Sequence, residues 1–237
     1  MDLSQNIHLL GDLLGKVISE LESPAIFETE ERIRALAKAR RGGDAVAAEG
    51  LSKEVSALPS GGARVIASAF AAYFDLVNLA EENQRVRALR QREEASYPEP
   101  VPESVGEAVG ILKERGVTRE QMSALLKELS IELVLTAHPT EARRRTVLSK
   151  TERIAQLLHL LDDDSISARE RDESVKSLHA EIATLWLTDR ARADTLTVTD
   201  EARTGLYYVD AYLWNSIPTL YRSEEHTSEL QSLRHLV

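Results

Sequence analysis

Leu3, Ile7, Leu10, Leu14, Val17, Ile18 and Leu21 recur every three or four positions, a pattern that predicts an amphipathic helix at the start of the chain. Ser23-Pro24 restarts a helix, with proline near its first turn and an apolar face of Ile26, Ile33, Leu36 and Ala37. Gly42-Gly43 breaks it, a shorter helix is expected over 44–58, and Pro59-Ser-Gly-Gly62 reads as a turn. A long helix follows over 63–94. Its first half is rich in apolar and small residues (Ile66, Ala67, Phe70, Phe74, Val77, Leu79) and its second half is charged, the pattern of a core helix that emerges into solvent. Pro98, Pro100 and Pro102 predict an extended linker. Short helices over 105–115 and 118–129 come next, the second opened by a capping-box pattern, Thr118-Arg-Glu-Gln121. Further helices are expected over 141–161, 168–192 and 200–220, separated by Asp162-Asp-Asp-Ser165 and by a polar loop at 193–199. Only 131–136 departs from helical spacing: a short, β-branched, apolar run of strand length. The expected fold is therefore mainly α with one strand.

Composition changes this picture little. Aromatic residues make up 5% of the chain against 43% hydrophobic residues in all, which suits helices better than a β-sandwich. There is no cysteine, so disulfide and thiolate chemistry are excluded, consistent with a reducing compartment. A formal charge of -10 argues against nucleic acid as a general partner. No apolar run approaches the roughly 20 residues of a bilayer span, and Met1-Asp-Leu-Ser-Gln-Asn6 lacks a signal-peptide pattern.

Candidate chemistry concentrates at Glu132-Leu-Val-Leu-Thr-Ala-His138-Pro-Thr-Glu-Ala-Arg-Arg-Arg-Thr146. Pro139 keeps His138 out of the helical region, and Thr140 is expected to cap a helix beginning at Glu141. The order is strand, tight turn, helix, with one histidine on the turn, the place where α/β proteins bind ligands. Arg143, Arg144 and Arg145 at the helix start favour an anion. Three consecutive arginines cannot all face one ligand, so at least one is expected in solvent or in an ion pair. From the local pattern alone, His138 could equally be a turn histidine that donates to a carbonyl. His8, His159 and His179 have no ligand-like spacing and read as surface or packing residues, and Asp162-Asp-Asp164 reads as a solvated helix end.

Thr136-Ala-His-Pro-Thr-Glu-x-x-Arg-Arg145 resembles the signature around the active-site histidine of the phosphoenolpyruvate carboxylase family. Asn6-Ile-His-Leu-Leu-Gly-Asp-Leu-Leu-Gly15, Phe74-Asp-Leu-Val-Asn-Leu-Ala-Glu-Glu82 with Arg85-Val-Arg87, and Leu185-Trp-Leu-Thr-Asp189 with Asp200-Glu-Ala-Arg203 and Gly205-Leu-Tyr-Tyr208 resemble the same family in the same order. The family's chains are several times longer, so the resemblance, which is of bacterial type and runs to about Tyr221, implies an amino-terminal fragment. It implies a (β/α)8 barrel embedded in many helices, of which only the first strand falls here. The expected division is 1–130 as the helical lead, 131–222 as the start of the barrel, and 223–237 as a non-native tail. That tail resembles a translated sequencing adapter, so His226 and His235 carry no weight.

The resemblance also implies the reaction. Bicarbonate attacks the phosphoryl group of phosphoenolpyruvate to give carboxyphosphate and the enolate of pyruvate. Carboxyphosphate then yields carbon dioxide and phosphate, and the enolate attacks the carbon dioxide to give oxaloacetate, which replenishes the citric acid cycle. His138 carries the family's catalytic histidine, exchanging a proton with carboxyphosphate or stabilising it near the enolate. Arg144 and Arg145 correspond to an arginine pair associated with a sugar-phosphate effector in some members, with Arg192 near them; ion pairing and direct substrate contact are the other readings. Mg2+ or Mn2+, a cytoplasmic homotetramer and allosteric control are implied for the full-length parent. Its metal carboxylates lie further along the chain, so no metal ligand and no carboxylase activity are expected of these 237 residues. Two rivals remain: a non-catalytic helical phosphate-binding or interaction module, and a different enzyme that uses phosphoenolpyruvate.

Overall fold

The structure, a computed structural model, describes residues 2–130, 132, 144–163, 165–189, 197–214 and 216–218. Among these it contains helices and no strand: α1 Leu3–Leu21, α2 Pro24–Arg41, α3 Ala45–Ser56, α4 Ser60–Ser96, α5 Val105–Glu114, α6 Arg119–Glu128, α7 Arg145–Leu161, α8 Ala168–Leu187 and α9 Val198–Tyr208, the last continuing into a π-helical turn, Val209–Leu213. The strand expected at 131–136 falls outside the described residues except for Glu132, which is not in a strand.

Local sequence explains most helix starts. Asp2 accepts from the Gln5 amide while Gln5 Oε1 accepts from Asp2 N, both at 2.8 Å. Ser23 and Asp44 cap α2 and α3, and Ser104 caps α5. Thr118 and Gln121 form the expected capping box on α6, and Ser167–Glu170 and Thr197–Asp200 form two more on α8 and α9. Three boundaries differ from expectation. Pro59-Ser-Gly-Gly62 is not a free turn: α4 begins at Ser60 and absorbs both glycines in its first turn, with the Ala63 amide donating to the Pro59 carbonyl. Arg144 is extended (φ -64°, ψ 142°), so α7 begins after it and not at Glu141. α8 ends at Leu187 and does not reach 192, because Thr188 is extended and its hydroxyl donates back to the Thr184 carbonyl.

The chain divides into two compact units, Met1–Gln84 with Arg143–Ala191, and Arg85–Ala142 with Arg192–Val237. In the first, α1 packs on α2 and α8, α2 on α3, and α7 on α8. One apolar cluster unites Leu10, Leu14, Val17 and Ile18 of α1, Ala69, Ala72, Leu76 and Ala80 of α4, Ile154, Leu158 and Leu161 of α7, and Leu178, Ile182 and Leu185 of α8. Each buried leucine or isoleucine contributes about 1.5–3 kcal/mol over leaving it in water. The α4 stripe corrects an expectation: Ile66, Ala69, Ala72, Leu76 and Ala80 are buried, whereas Ala67 is exposed and Phe74 is 57% exposed. Small residues let helices approach closely, as at Gly15, where an added Cβ would lie 2.6 Å from the Phe27 ring. By length and composition α4 could also cross a bilayer, but its Ala69–Ala80 stripe belongs to this core. Asn83 Nδ2 donates to Asp162 Oδ2 at 2.6 Å, which ties the end of α7 to α4, so Asp162 is more than a solvated helix end.

The second unit is different in kind. Val101 is its one buried residue among those described. The proline segment is turned and not extended: Arg92 donates to the Pro102 carbonyl at 3.3 Å, and Glu103 sits at φ 65° while its amide donates to Glu107 Oε2.

Candidate functional site

α7 is the element that the sequence motif leads into, and its start differs from those of the seven side-chain-capped helices. Asp, Ser or Thr side chains cap α1, α2, α3, α5, α6, α8 and α9, whereas α7 opens on Arg144 with no side-chain cap. A guanidinium carries no acceptor, so it cannot cap first-turn amides. Those amides, the helix dipole and the adjacent Arg144 and Arg145 side chains together make a cationic helix start. Arg144 is engaged: its Nη2 lies 3.6 Å from Asp189 Oδ2, with the two side chains 38% and 70% exposed. A pair that exposed is worth about 0–1 kcal/mol, weak enough for an incoming anion to displace the carboxylate. Arg145 occupies the first helical position and is exposed.

One turn further along, Ser149, Lys150, Glu152, Arg153 and Gln156 of α7 and Glu181 of α8 line a shallow groove of about 270 Å3. Lys150 Nζ and Glu181 Oε2 are 2.8 Å apart inside it, an electrostatic contact without hydrogen-bond alignment at the oxygen. With both signs of charge already matched, this groove offers no net pull on an anion. Nothing in the sequence links Lys150 to Glu181, because their meeting depends on how α7 packs on α8.

Among the described residues, the most perturbed titratable group lies elsewhere. Burial, then the neighbouring Glu31 charge, push the Glu30 carboxyl from its ordinary 4.5 up to about 7, with Arg34 pulling the other way. Arg34 in turn is raised, chiefly by its bond to Glu31 at 2.6 Å, and lies 5.8 Å over the Tyr73 ring. Perturbed groups often mark sites. This one is walled by Gly11, Leu14, Gly15, Ile18 and Phe27 around only about 10 Å3 of space, at the lower limit for one water molecule. It is a packing feature, and helical spacing alone sets Glu30 apart from Glu28 and Glu31, because it falls between Ile26 and Ile33 on the apolar face of α2.

His138, Arg143 and Arg192 lie outside the described residues, so of the expected site residues the structure places Arg144 and Arg145 alone. It brings Arg144 to Asp189 of the Leu185–Asp189 motif, joining two of the stretches singled out in the sequence. His8 Nδ1 lies 2.6 Å from the Ser4 carbonyl oxygen, and His179 Nε2 lies 3.3 Å from Glu20 Oε2, in line with the surface and packing roles expected of them. No group of three or more His, Cys, Asp or Glu side chains among the described residues could hold a metal ion.

Comparison with known proteins gives the same direction as the motif. The family model described as phosphoenolpyruvate carboxylase matches residues 3–234, extending into the segment read as a tail. Phosphoenolpyruvate carboxylase of Roseiflexus castenholzii is 41% identical over 226 residues, covering 94% of this chain and 24% of the relative. The Thermus thermophilus enzyme of that name is 40% identical over 228 residues, 96% of this chain and 25% of the relative. That of Pseudomonas syringae pv. tomato is 37% identical over 235 residues, 99% and 26% respectively. The chain thus spans about a quarter of the length of the curated relatives it matches.

Proposed function

The chain belongs to the phosphoenolpyruvate carboxylase family, and from that premise we propose that it is the amino-terminal part of an enzyme that joins phosphoenolpyruvate and bicarbonate into oxaloacetate and phosphate. The observation that carries the reading is the intact Thr136–Arg145 motif inside a chain matched to the family almost from end to end. His138 is the proton-transferring group of the carboxyphosphate stage. Imidazole suits that role because its ordinary pKa lies near neutrality. Arg144 and Arg145 hold phosphate-bearing ligands at the start of α7, supported by its uncapped amides and by the weak Arg144–Asp189 pair. A sugar-phosphate effector is the favoured ligand there, with Arg192 as a further contact.

Among the described residues no cluster of carboxylate or imidazole groups could hold a divalent cation. Mg2+ or Mn2+ would be held by residues of the longer polypeptide, which would act as a cytoplasmic, allosteric homotetramer supplying the citric acid cycle. Residues 131–222 would begin its barrel. By itself the 237-residue chain lacks carboxylase activity; oxaloacetate formed from bicarbonate by the purified chain would refute this. In a family-length polypeptide carrying this stretch, His138→Asn should lower the rate of oxaloacetate formation by at least about 10²-fold. An undiminished rate would remove His138 from the mechanism.

A further inference from the structure

Within the first unit, α2 and α3 form a helical hairpin that rests on α1. α3 packs on α2, and α2 on α1. Gly50 lets α3 close on the Leu36 side chain, since a Cβ there would lie 3.3 Å from Leu36 Cδ2. Arg32 Nη2 and Glu54 Oε1 tie the two helices at 3.0 Å. To the apolar cluster of the unit the hairpin gives Ile26 and Phe27, both half-buried, whereas its buried apolar residues, Ile33 and Ala47, stand outside that cluster. The remaining buried residue of the hairpin is Glu30, 6% exposed. An ionisable group thus occupies the seam between α2 and α1, where an apolar side chain would have served adhesion better.

What faces Glu30 makes that seam sensitive to one proton. α1 presents Gly11, Leu14, Gly15 and Ile18, none of which titrates. On α2 stand Arg34 and Glu31, the latter sharing a side-chain hydrogen bond with Glu30, and α4 contributes Tyr73. α3 brings Glu54 to α2, already paired with Arg32. Arg34 is committed to Glu31 at 2.6 Å. With Glu30 protonated, its hydroxyl donates to the Glu31 carboxylate, and Glu30, Glu31 and Arg34 together carry no net charge. With Glu30 ionised, two carboxylates share one guanidinium beside about 10 Å3 of space, room for one water molecule at most. The carboxylate regains its water shell when α2 lifts from α1. We infer that the α2–α3 hairpin is a proton-operated arm, closed on α1 while Glu30 is protonated and opening from it, so baring Leu14 and Ile18, when that proton leaves. Burial and then the Glu31 charge set the working range, holding Glu30 at about 7 against an ordinary 4.5. The closed arm keeps a proton that the open arm releases, so opening is favoured as pH rises through this interval and levels off above it.

Amide hydrogen exchange of the 237-residue chain tests the arm, because helices as short as α2 and α3 fray once undocked. After correction for intrinsic amide rates, α2 and α3 should be less protected than α7 and α8 at every pH, since they open without unfolding the core. Their protection should fall at least about tenfold between pH 5.5 and pH 8. In Glu30→Gln, which keeps a donor toward Glu31 and carries no charge, that fall should vanish. Glu31→Gln, at a partly exposed position, keeps the test decisive if Glu30→Gln does not fold. It removes the neighbouring charge that resists ionisation of Glu30, so the fall should shrink several-fold. The inference is overturned if α2 and α3 are as protected as α7 and α8, which would mean that the hairpin leaves α1 only on global unfolding. It is overturned too if their protection stays level between the two pH values. A fall that persists undiminished in Glu30→Gln or, failing that variant, in Glu31→Gln overturns it as well.

Discussion

The two units are built from helices of similar amphipathic character and have opposite outcomes. In the first, apolar faces of α1, α4, α7 and α8 meet, and Val17, Ile154, Leu158 and Leu178 are wholly removed from water. In the second, α5, α6 and α9 have no buried residue of their own, and among its described residues only Val101 in the proline segment is covered. Caps do not make the difference, because Thr118 and Thr197 form complete capping boxes in the second unit. Local signals therefore suffice to start and stop a helix, while burial needs a partner surface.

Three measurements on the isolated chain can break or sharpen this contrast. The largest effect should come from the closed core. Leu158→Ala removes a side chain with no exposure and should destabilise the chain by about 2–5 kcal/mol. Leu125→Ala, the same chemical change on α6, should cost less than about 0.5 kcal/mol. Equal losses in denaturant titrations would erase the distinction between the units.

Next in size is Glu30. Its pKa is about 7 in the folded chain against an ordinary 4.5. Between those values the folded chain holds a proton that the unfolded chain has released, so stability is full below about 4.5, falls as pH rises to about 7, and is level above. The full span is about 3 kcal/mol. Glu30→Gln should therefore gain on the parent chain from pH 5 to 8 and match it at pH 4. A difference in thermal midpoint that does not change with pH would show that Glu30 ionises normally.

The smallest effect concerns a cap in the open unit. Thr118→Ala removes the bond to the Gln121 amide and should cost about 1 kcal/mol of local helix stability. Amide exchange in α6 should quicken, while protection of α1, α7 and α8 stays unchanged. Loss of protection in those helices would show that the units unfold together.

How much was legible differs by feature. α1 and the Ser23-Pro24 restart of α2 follow directly from apolar spacing and capping chemistry. The start of α7 was misplaced by four residues because Thr140 looked a better cap than Arg144, and a cap pattern says nothing about where the chain turns. Phe74 was expected inside on hydrophobicity alone, yet close approach of α4 to its neighbours favours alanine at the contact. At the candidate site, the motif placed Arg143, Arg144 and Arg145 at a helix start; Arg143 lies outside the described residues, α7 begins at Arg145, and the Asp189 partner of Arg144, 45 positions away, had no local signature.

By itself, the sequence determined helix content, most boundaries, the absence of thiol chemistry and family membership, because these depend on neighbours in the chain or on a motif read in order. Only the tertiary structure decided which amphipathic faces close on one another, that Asn83 holds Asp162, that Arg144 meets Asp189, and that Glu30 is buried enough to keep its proton near neutral pH. Those outcomes depend on distances between residues far apart in the chain, which periodicity and capping do not encode.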